Sequence, residues 1–302
     1  MDRGQGMNQA ALSGIPETEW ITPGHLGCQG CGAALAMRFV LKALGEKTII
    51  VLPACCWSII AGPFPYSSVK VPLIHTAFET AAPVACGIRA ALDVQGDHET
   101  TVLAWAGDGA TFDIGLQALS AAAERNENIL YICYDNEGYG NTGQQFSGAT
   151  PHAARTATSR GPRGFSGYKK DLFSIWAAHK PAYVATVIGA EPLDLARKVE
   201  KAMQLKGPRL IIALAPCPTG WDYDPRESAD IGKLAVTTGI WPLKEYVDGK
   251  VVHTKIPHRR QPVEAYLKTQ GRFAHLFEPQ RNEALLQELQ QAVDQYWAGI
   301  EP

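Results

Sequence analysis

Short, continuously apolar segments alternate with segments of helical periodicity along most of this chain. Apolar runs rich in β-branched residues are typical of strands that are buried on both faces. Five such strands are predicted, at 48–52, 101–106, 129–134, 183–188 and 210–215. Apolar residues at helical spacing predict helices at 33–44, 76–92, 113–125, 192–205 and 282–297. Because strands that alternate with helices pair in parallel, we predict an α/β fold, a mostly parallel sheet with helices on both faces.

The charge balance argues against two classes of partner. The chain has 28 Lys and Arg against 30 Asp and Glu, a net charge of -2, so it lacks the basic excess typical of proteins that bind nucleic acids or anionic membranes. No apolar run reaches the roughly 20 residues of a membrane helix, and residues 1–20 lack the apolar stretch of a signal peptide. We therefore expect a cytoplasmic protein with no nucleic-acid or membrane partner and a flexible N-terminal extension over residues 1–20.

Four of the seven cysteines stand where they can form one site. Cys28 and Cys31 form a C-x-x-C motif ahead of the first predicted helix, whereas Cys56 and Cys217 each follow a predicted strand. Disulfides are rare in the cytoplasm, so thiols that converge at one edge of a sheet predict a metal site. The residues alone leave open whether these four thiolates hold zinc or a [4Fe-4S] cluster.

The other three cysteines have simpler interpretations. Cys86 and Cys133 lie inside apolar segments, so they are predicted to be small core residues. Cys55 neighbours a proposed ligand, and no role beyond shaping the polarity of the site is assigned to it.

Polar residues follow two of the predicted strands directly. The strand at 101–106 runs into Gly107-Asp108-Gly109, and the strand at 129–134 runs into Asp135-Asn136, with Asn136 28 residues after Asp108. Ligands of parallel sheets bind at the carboxyl ends of the strands, and carboxylate and amide oxygens suit Mg²⁺. The glycines let the backbone approach a diphosphate, toward which the helix that starts near Asp113 points its N-terminus. A nicotinamide-binding loop is disfavoured because G-x-G-x-x-G spacing is missing.

These motifs resemble the GDG…N signature of thiamine-diphosphate enzymes and, more specifically, the β chain of 2-oxoacid:ferredoxin oxidoreductases, the pyruvate synthase group. The similarity is colinear over roughly residues 24–221. The stretches that carry it are 24–33, 63–66, 71–76, 107–109, 113–115, 134–137, 141–143 and 149–151. The resemblance implies a thiamine-diphosphate-binding fold, with an α/β domain over residues 21–221 that also binds an iron-sulfur cluster.

The resemblance also implies the cofactors and their ligands. One [4Fe-4S] cluster is expected on Cys28, Cys31, Cys56 and Cys217, since the family places its third cysteine 25 residues after the C-x-x-C, as here. Mg²⁺ is expected on Asp108, Asn136 and the backbone carbonyl of Gly138. The expected contacts of thiamine diphosphate are Gly107, Asp108, Gly109, Asn136, Gly138, Asn141 and Thr142. Asn141 is expected to face the substrate as a catalytic amide.

The activity implied is oxidative decarboxylation of a pyruvate-type 2-oxo acid with coenzyme A, which yields acyl-CoA and CO₂ and passes electrons to ferredoxin. The family takes the glutamate that activates the cofactor from the α subunit, and it uses γ and ferredoxin-like δ subunits, or fused equivalents, for the rest. We therefore expect this chain to be inactive alone. Residues 222–302 are expected to form a C-terminal extension that packs on the domain and on partner subunits.

Several alternatives stay open at this point. Gly138 and Gly140 stand where the pyruvate enzymes often have larger residues, so a bulkier, aryl or other 2-oxo acid, oxalate-type substrates included, is a second substrate class. A non-redox thiamine-diphosphate decarboxylase or synthase, or a zinc-stabilised binding subunit, would use only part of these motifs. Glu79 is interpreted as a carboxylate on the surface of the helix at 76–92. The basic residues of 155–170 are interpreted as a solvated loop, with a phosphate path or partner surface as the alternative.

Overall fold

The computed structural model describes residues 14–300. Eight strands form one sheet in the order β2-β1-β3-β4-β6-β5-β7-β8. In chain order the strands are β1 Thr48–Pro53, β2 Leu73–Thr76, β3 Thr101–Gly107, β4 Leu130–Asp135, β5 Tyr183–Ile188, β6 Arg209–Leu214, β7 Leu243–Val247 and β8 Lys250–Lys255. The first six pair in parallel and the last two are antiparallel, so the predicted mostly parallel α/β fold is confirmed.

Helices cover both faces of the sheet. They are α1 Gly32–Leu44, α2 Cys56–Ile60, α3 Ala81–Val94, α4 Leu116–Glu124, α5 Leu172–Ala177, α6 Pro192–Gln204, α7 Pro218–Trp221, α8 Ser228–Thr237, α9 Val263–Leu267 and α10 Glu283–Ala298. One core holds α1 and α6 against the sheet through Met37 and Leu195. The core on the other face holds α3, α5 and α8 through Ala85, Trp176 and Ile231. The predicted burial of the sheet between two helical layers is thereby confirmed.

The boundaries of two predicted helices are wrong. The helix predicted at 76–92 begins at Ala81, because Thr76 ends strand β2 and pairs with Pro53 of β1. The helix predicted at 113–125 begins earlier, since a π-helix over Gly109–Ile114 precedes α4. The helical N-terminus therefore follows Asp108 directly instead of standing near Asp113.

The last two strands were not predicted. They form a hairpin whose turn residues, Asp248 and Gly249, have φ of 50° and 76°. An Asp-Gly pair with positive φ at both residues is a favoured two-residue turn, so the sequence does contain a hairpin signal. The hairpin extends the sheet because β7 pairs antiparallel with β5.

The C-terminal segment shares a core with the rest of the fold. Ile231 of α8, Val263 of α9 and Leu285 of α10 belong to the same buried cluster as Leu119 of α4. Contact of residues 222–302 with partner subunits stays a prediction. Of the proposed N-terminal extension, residues 1–13 lie outside the described residues. The part that follows contacts the domain, since Nζ of Lys42 donates hydrogen bonds to the carbonyls of Pro16 and Glu17.

Between residues 14 and 300, no helix has the length and apolar character needed to cross a lipid bilayer.

Candidate active site

Four neighbouring parallel strands direct the predicted site residues to one edge of the sheet. The order β1-β3-β4-β6 places the segments that contain Cys56, Asp108, Asn136 and Cys217 side by side, because each segment follows the carboxyl end of its strand. The paired residues Gly107 and Tyr134 lie level with each other at the ends of β3 and β4. The sheet topology therefore brings the two predicted groups of ligands to the same edge.

A cavity of about 310 Å³ opens at this edge. Its lining includes all seven predicted contacts of thiamine diphosphate: Gly107, Asp108, Gly109, Asn136, Gly138, Asn141 and Thr142. Cys55, Cys56, Phe78, Tyr134 and Tyr139 also line it, and the sequence had indicated none of the three aromatic residues. Asn141 and Thr142 are exposed at the mouth, whereas Asp108 and Asn136 are buried.

The three predicted ligand oxygens for a cation lie together in this cavity. One end of the Asn136 amide lies 2.7 Å from Oδ1 of Asp108 and 3.0 Å from the carbonyl oxygen of Gly138. With the amide oxygen at that end, three acceptors face one another. Mg²⁺ holds its octahedral oxygen ligands at about 2.0–2.1 Å, which separates neighbouring oxygens by about 2.9 Å. The residues present therefore fit a magnesium ion. If the Asn136 amide is flipped, its nitrogen donates hydrogen bonds to Oδ1 of Asp108 and to the carbonyl of Gly138 instead.

Asp108 is the most buried of these ligands. It is 1% exposed, and its Oδ2 accepts a hydrogen bond from the hydroxyl of Ser147. Burial, followed by the nearby Asp135 carboxylate, raises the pKa of Asp108 well above its usual range. A bound cation lowers the pKa of Asp108, because a nearby positive charge favours the ionised carboxylate.

Close packing explains the glycines of this motif. A Cβ on Gly109 would overlap the ring of Tyr139, whose hydroxyl donates a 2.7 Å hydrogen bond to Oδ2 of Asp113. A Cβ on Gly107 would lie 3.1 Å from the hydroxyl of Tyr134. Only glycine leaves the backbone of this segment open to the cavity while these two rings stay in place.

The four predicted cluster cysteines belong to three segments: Cys28 and Cys31 lie in the C-x-x-C loop, Cys56 begins α2, and Cys217 precedes α7. Sγ of Cys31 and Sγ of Cys217 accept hydrogen bonds from backbone N–H groups at the N-termini of α1 and α7. Thr219 donates to Sγ of the exposed Cys28 at 3.8 Å. The backbone N–H of Gly32 donates to the carbonyl of Pro216, which holds the C-x-x-C loop against the Cys217 loop. These two loops therefore adjoin, and a cluster on the four cysteines stays a prediction.

The thiols are near enough to affect one another's ionisation. Burial, then the charges of Cys217, Cys55 and Cys31, raises the pKa of Cys56 to about 12. Burial is also the main cause of the raised pKa of Cys217, about 11, to which Cys31 and Cys28 contribute. A bound metal would stabilise thiolates that disfavour one another in this way. In the described part of the chain no three His, Cys, Asp or Glu side chains are close enough to hold a single metal ion.

Tyr134 connects the cavity with the cysteine loops. Its hydroxyl accepts a 3.0 Å hydrogen bond from the backbone N–H of Cys56. Its ring stacks on Trp105 with centroids 5.7 Å apart, and Trp105 in turn packs edge-on against Trp57. The rings of Tyr134, Trp105 and Trp57 are thus buried against one another, and Tyr134 holds the backbone of Cys56.

A buried ion network lies behind the Asp135-Asn136 turn, and it was not predicted from the sequence. Nζ of Lys169 lies 2.5 Å from Oδ2 of Asp135 and 2.8 Å from Oε1 of Glu137. Nη2 of Arg272 lies 2.7 Å from Oε2 of Glu137. Lys169 belongs to the loop interpreted as solvated, yet its side chain is only 22% exposed. Carboxylates that flank the buried end of a strand need cationic partners, which is the signal that the sequence does contain.

The remaining predictions can also be placed. Cys86 and Cys133 are confirmed as buried core residues. Glu79 is exposed and lies in the turn before α3, so its assignment to a helix is wrong for the same reason as the start of that helix. Arg155, Arg160, Arg163 and Lys170 are exposed, in contrast to Lys169.

Comparison with known proteins identifies a family that the chain matches and several proteins with similar sequences. Residues 57–213 match the family described as thiamine pyrophosphate enzyme, C-terminal TPP binding domain. The chain is 48% identical over 272 residues to pyruvate synthase subunit PorB of Methanothermobacter thermautotrophicus, with 88% of this chain and 94% of the relative covered. It is also 48% identical to ketoisovalerate oxidoreductase subunit VorB of Pyrococcus furiosus, with 87% and 88% covered.

A solved structure shares the fold. A chain of 2-oxoglutarate:ferredoxin oxidoreductase from Magnetococcus marinus superposes with a TM-score of 0.59 at 19% identity, covering 96% of this chain and 98% of that one. At this identity the likeness supports the fold alone.

Proposed function

This chain belongs to the family of pyruvate synthase and ketoisovalerate oxidoreductase B subunits, the β subunits of 2-oxoacid:ferredoxin oxidoreductases, and we propose that its cavity holds thiamine diphosphate with Mg²⁺ beside one [4Fe-4S] cluster. The proposed reaction is oxidative decarboxylation of a 2-oxo acid with coenzyme A, which yields acyl-CoA and CO₂ and passes electrons to ferredoxin. Membership of this family of redox enzymes sets aside the non-redox thiamine enzyme and the zinc-stabilised binding subunit.

One observation carries the proposal: the oxygen site and a cluster cysteine line the same cavity. Asp108 and Cys56 both face it, and Asn136 lies between them. An enzyme that only decarboxylates has no use for thiols at this position, whereas a redox enzyme gains a short path for electrons. The cavity therefore supports coupled decarboxylation and electron transfer in one chain.

Each residue of this chain that lines the cavity has its own role in the proposed reaction. Asp108, Asn136 and the carbonyl of Gly138 would hold the cation, and the N-terminus of the helical turn that starts at Gly109 would face the diphosphate. Bound thiamine diphosphate supplies the carbanion that adds to the 2-oxo carbon and the electron sink for loss of CO₂. Tyr139 closes the wall over Gly109, and Phe78 packs edge-on against it, so both rings exclude water. Asn141, at the mouth, is proposed to hydrogen-bond the substrate.

The cluster site reaches the protein surface at Cys28. This cysteine is exposed, whereas Cys31, Cys56 and Cys217 are partly buried. An exposed cluster edge supports electron delivery to ferredoxin or to a ferredoxin-like subunit.

A partner subunit is proposed to complete the site. Among the residues that line this cavity, Asp108 is the single carboxylate and none is a glutamate. We assign the glutamate that activates the cofactor to the α subunit. Electron transfer beyond this chain belongs to γ and δ subunits or their fused equivalents.

The substrate class depends on Gly140 more than on Gly138. A Cβ on Gly138 would lie 2.9 Å from Nε2 of Gln144 and 3.0 Å from the carbonyl of Gln145, so glycine there relieves crowding. A Cβ on Gly140 would lie 3.4 Å from Sγ of Cys56, an ordinary contact, so this glycine leaves usable space in the cavity. That space favours a branched or aryl 2-oxo acid as the second candidate substrate, next to pyruvate.

The test is turnover by the complex purified without oxygen. CO₂ release and reduction of a viologen dye are measured with pyruvate and with branched and aryl 2-oxo acids, in the presence and absence of coenzyme A. We expect release of CO₂ to depend on both the dye and coenzyme A, and to fall about 100-fold or more in Asp108→Ala. Steady release of CO₂ without dye reduction would identify a non-redox decarboxylase instead.

A further inference from the structure

The turn that carries the cation ligands contains an unfavourable backbone conformation. Glu137 lies between Asn136 and Gly138 with φ of 64°, although it is not a glycine. Non-glycine residues avoid the left-handed region unless surrounding contacts hold them there. The chain bends at Glu137, and the Gly138 carbonyl oxygen lies 3.0 Å from the side-chain amide of Asn136. The geometry of the cation site therefore depends on whatever holds Glu137.

Two cations from distant parts of the chain hold the Glu137 carboxylate. Lys169, from the long loop between β4 and α5, contacts Oε1 at 2.8 Å and also pairs with Asp135. Arg272, from a 3-10 helix over Gly271–Leu276, contacts Oε2 at 2.7 Å. The side chains of Glu137 and Arg272 are 7% and 3% exposed. Each carboxylate oxygen thus has its own cationic partner away from bulk water.

Arg272 also fixes the residue before Glu137. Its guanidinium lies 4.0 Å from the ring centroid of Trp221, and Nε1 of Trp221 donates a 2.9 Å hydrogen bond to the carbonyl of Asn136. A planar guanidinium stacks well on an indole, so the ring is held in place. The same arginine therefore supports the Asn136 carbonyl through Trp221 and contacts the Glu137 carboxylate directly.

Further hydrogen bonds complete the arrangement around the turn. The backbone N–H of Glu137 donates to Oδ1 of Asp135 at 3.1 Å, and the hydroxyl of Thr150 donates to the carbonyl of Glu137 at 2.9 Å. Asp135 is itself held by Lys169. The carboxylate, N–H and carbonyl groups of Glu137 are therefore held by residues outside the cavity lining, whereas Asn136 and Gly138 line the cavity.

We propose that Lys169 and Arg272 are positioning residues of the divalent-cation site, which act through Glu137 to hold the Asn136 side chain and the Gly138 carbonyl in ligand geometry. This role rests on the proposed function, since it presumes that the cavity binds a cation with thiamine diphosphate. The proposal also gives the C-terminal segment, residues 222–302, a role in the cation site. Arg272 belongs to this segment and lies 136 residues after Asn136 in the sequence.

The test measures cation affinity and not turnover. The complex, with thiamine diphosphate present, is titrated with Mn²⁺, and free Mn²⁺ is followed by EPR. We expect Lys169→Met and Arg272→Met to raise the dissociation constant of Mn²⁺ about tenfold or more, because the turn loses its supports. Arg272→Lys keeps the charge but not the stacking and is expected to recover part of the affinity.

Lys198 supplies the matched control. It is a second buried lysine, 3% exposed, paired with Asp194 at 2.8 Å and hydrogen-bonded to the carbonyl of Thr186. Lys198→Met removes a buried cation and its ion pair from a region outside the cavity. We expect this variant to lower the melting temperature as the others do, while its affinity for Mn²⁺ stays within about twofold of wild type.

Two results overturn the proposal in distinguishable ways. If wild type binds Mn²⁺ and both methionine variants bind it as tightly as Lys198→Met, the positioning role is wrong and the proposed function stands. If the wild-type complex binds no Mn²⁺ with thiamine diphosphate, both are wrong. Should the methionine variants fail to assemble, Trp221→Phe decides instead, because it removes the donor to Asn136 and keeps an aromatic ring. It is expected to weaken Mn²⁺ binding severalfold, and unchanged affinity contradicts the role.

Discussion

Nδ2 of Asn136 lies 3.9 Å from Sγ of Cys56, and the other end of the same amide faces Asp108 and Gly138. One side chain therefore stands between the proposed cation site and a proposed cluster ligand. A bound cation requires the side-chain oxygen of Asn136 to face it. In that orientation the amide N–H of Asn136 faces Sγ of Cys56. A cation bound by Asp108 and Gly138 would thus fix which end of the Asn136 amide faces Cys56.

Replacing Asn136 separates its two contacts. Asn136→Asp keeps an oxygen for the cation but has no N–H for Cys56, so Mn²⁺ binding should persist while the reduction potential of the cluster falls. Asn136→Ala lacks both groups and should weaken Mn²⁺ binding about tenfold or more. Mn²⁺ titration and an EPR-monitored redox titration of the complex measure the two effects. A cluster potential in Asn136→Asp equal to that of wild type would show that the amide does not act on the cluster.

Gly140 is predicted to determine substrate size. Gly140→Met fills the space beside Sγ of Cys56, so kcat/KM for branched or aryl 2-oxo acids should fall about tenfold relative to kcat/KM for pyruvate. Gly138→Ala is the control, because crowding against Gln144 should impair cofactor binding and reduce activity on every substrate equally. An unchanged preference in Gly140→Met contradicts the assignment.

Asn141 is predicted to contribute to turnover and not to cofactor retention. It is exposed at the mouth of the cavity, whereas Asp108 and Asn136 are buried. Asn141→Ala should lower kcat about tenfold or more while Mn²⁺ and thiamine diphosphate bind as in wild type. Loss of both cofactors in this variant would instead place Asn141 among the groups that hold them.

His275 is predicted to make stability depend on pH. Burial and, to a smaller extent, the Arg155 guanidinium lower the pKa of His275 from 6.5 to about 4. Between these values the unfolded chain binds a proton that the folded chain does not, so the folded state loses stability as the pH falls through this range. The pKa shift corresponds to about 2 kcal/mol between about pH 7 and pH 5. Partial exposure of the ring to solvent reduces this value, so His275→Gln should remove about 1 kcal/mol of the stability lost over this range. Urea unfolding of both proteins at the two pH values checks this, and equal losses contradict it.

The sequence predicts the parts of this protein that follow from a local run of apolar residues and from the residues that come directly after it. Strands β1, β3, β4, β5 and β6 are apolar on both faces, and Asp108 and Asn136 follow two of them directly, so their meeting at one edge is a consequence of parallel pairing. The β7–β8 hairpin was missed because its strands are partly exposed and mix Lys and Glu with Val, which obscures a strand pattern.

The supports of the site could not be predicted in the same way. Glu137, Lys169 and Arg272 come from three separated segments, and no spacing rule relates them. A buried ion pair depends on the tertiary fold, so a lysine in a Gly- and Ser-rich loop resembles a solvated one until the loop is placed. The cysteines were easier, because Cys31 precedes a helix and Cys56 and Cys217 follow strands that the local sequence predicts.

The most direct measurement of the central claim is the iron and acid-labile sulfide content per copy of this chain in the complex purified without oxygen. Wild type is compared with Cys56→Ser, and Cys86→Ser, a core cysteine away from the cavity, is the control. We predict that Cys56→Ser loses about four iron and four sulfide per copy while Cys86→Ser loses none. Unchanged counts in Cys56→Ser, or zinc in place of iron, would contradict a cluster at this site and with it the coupling of decarboxylation to electron transfer in this chain.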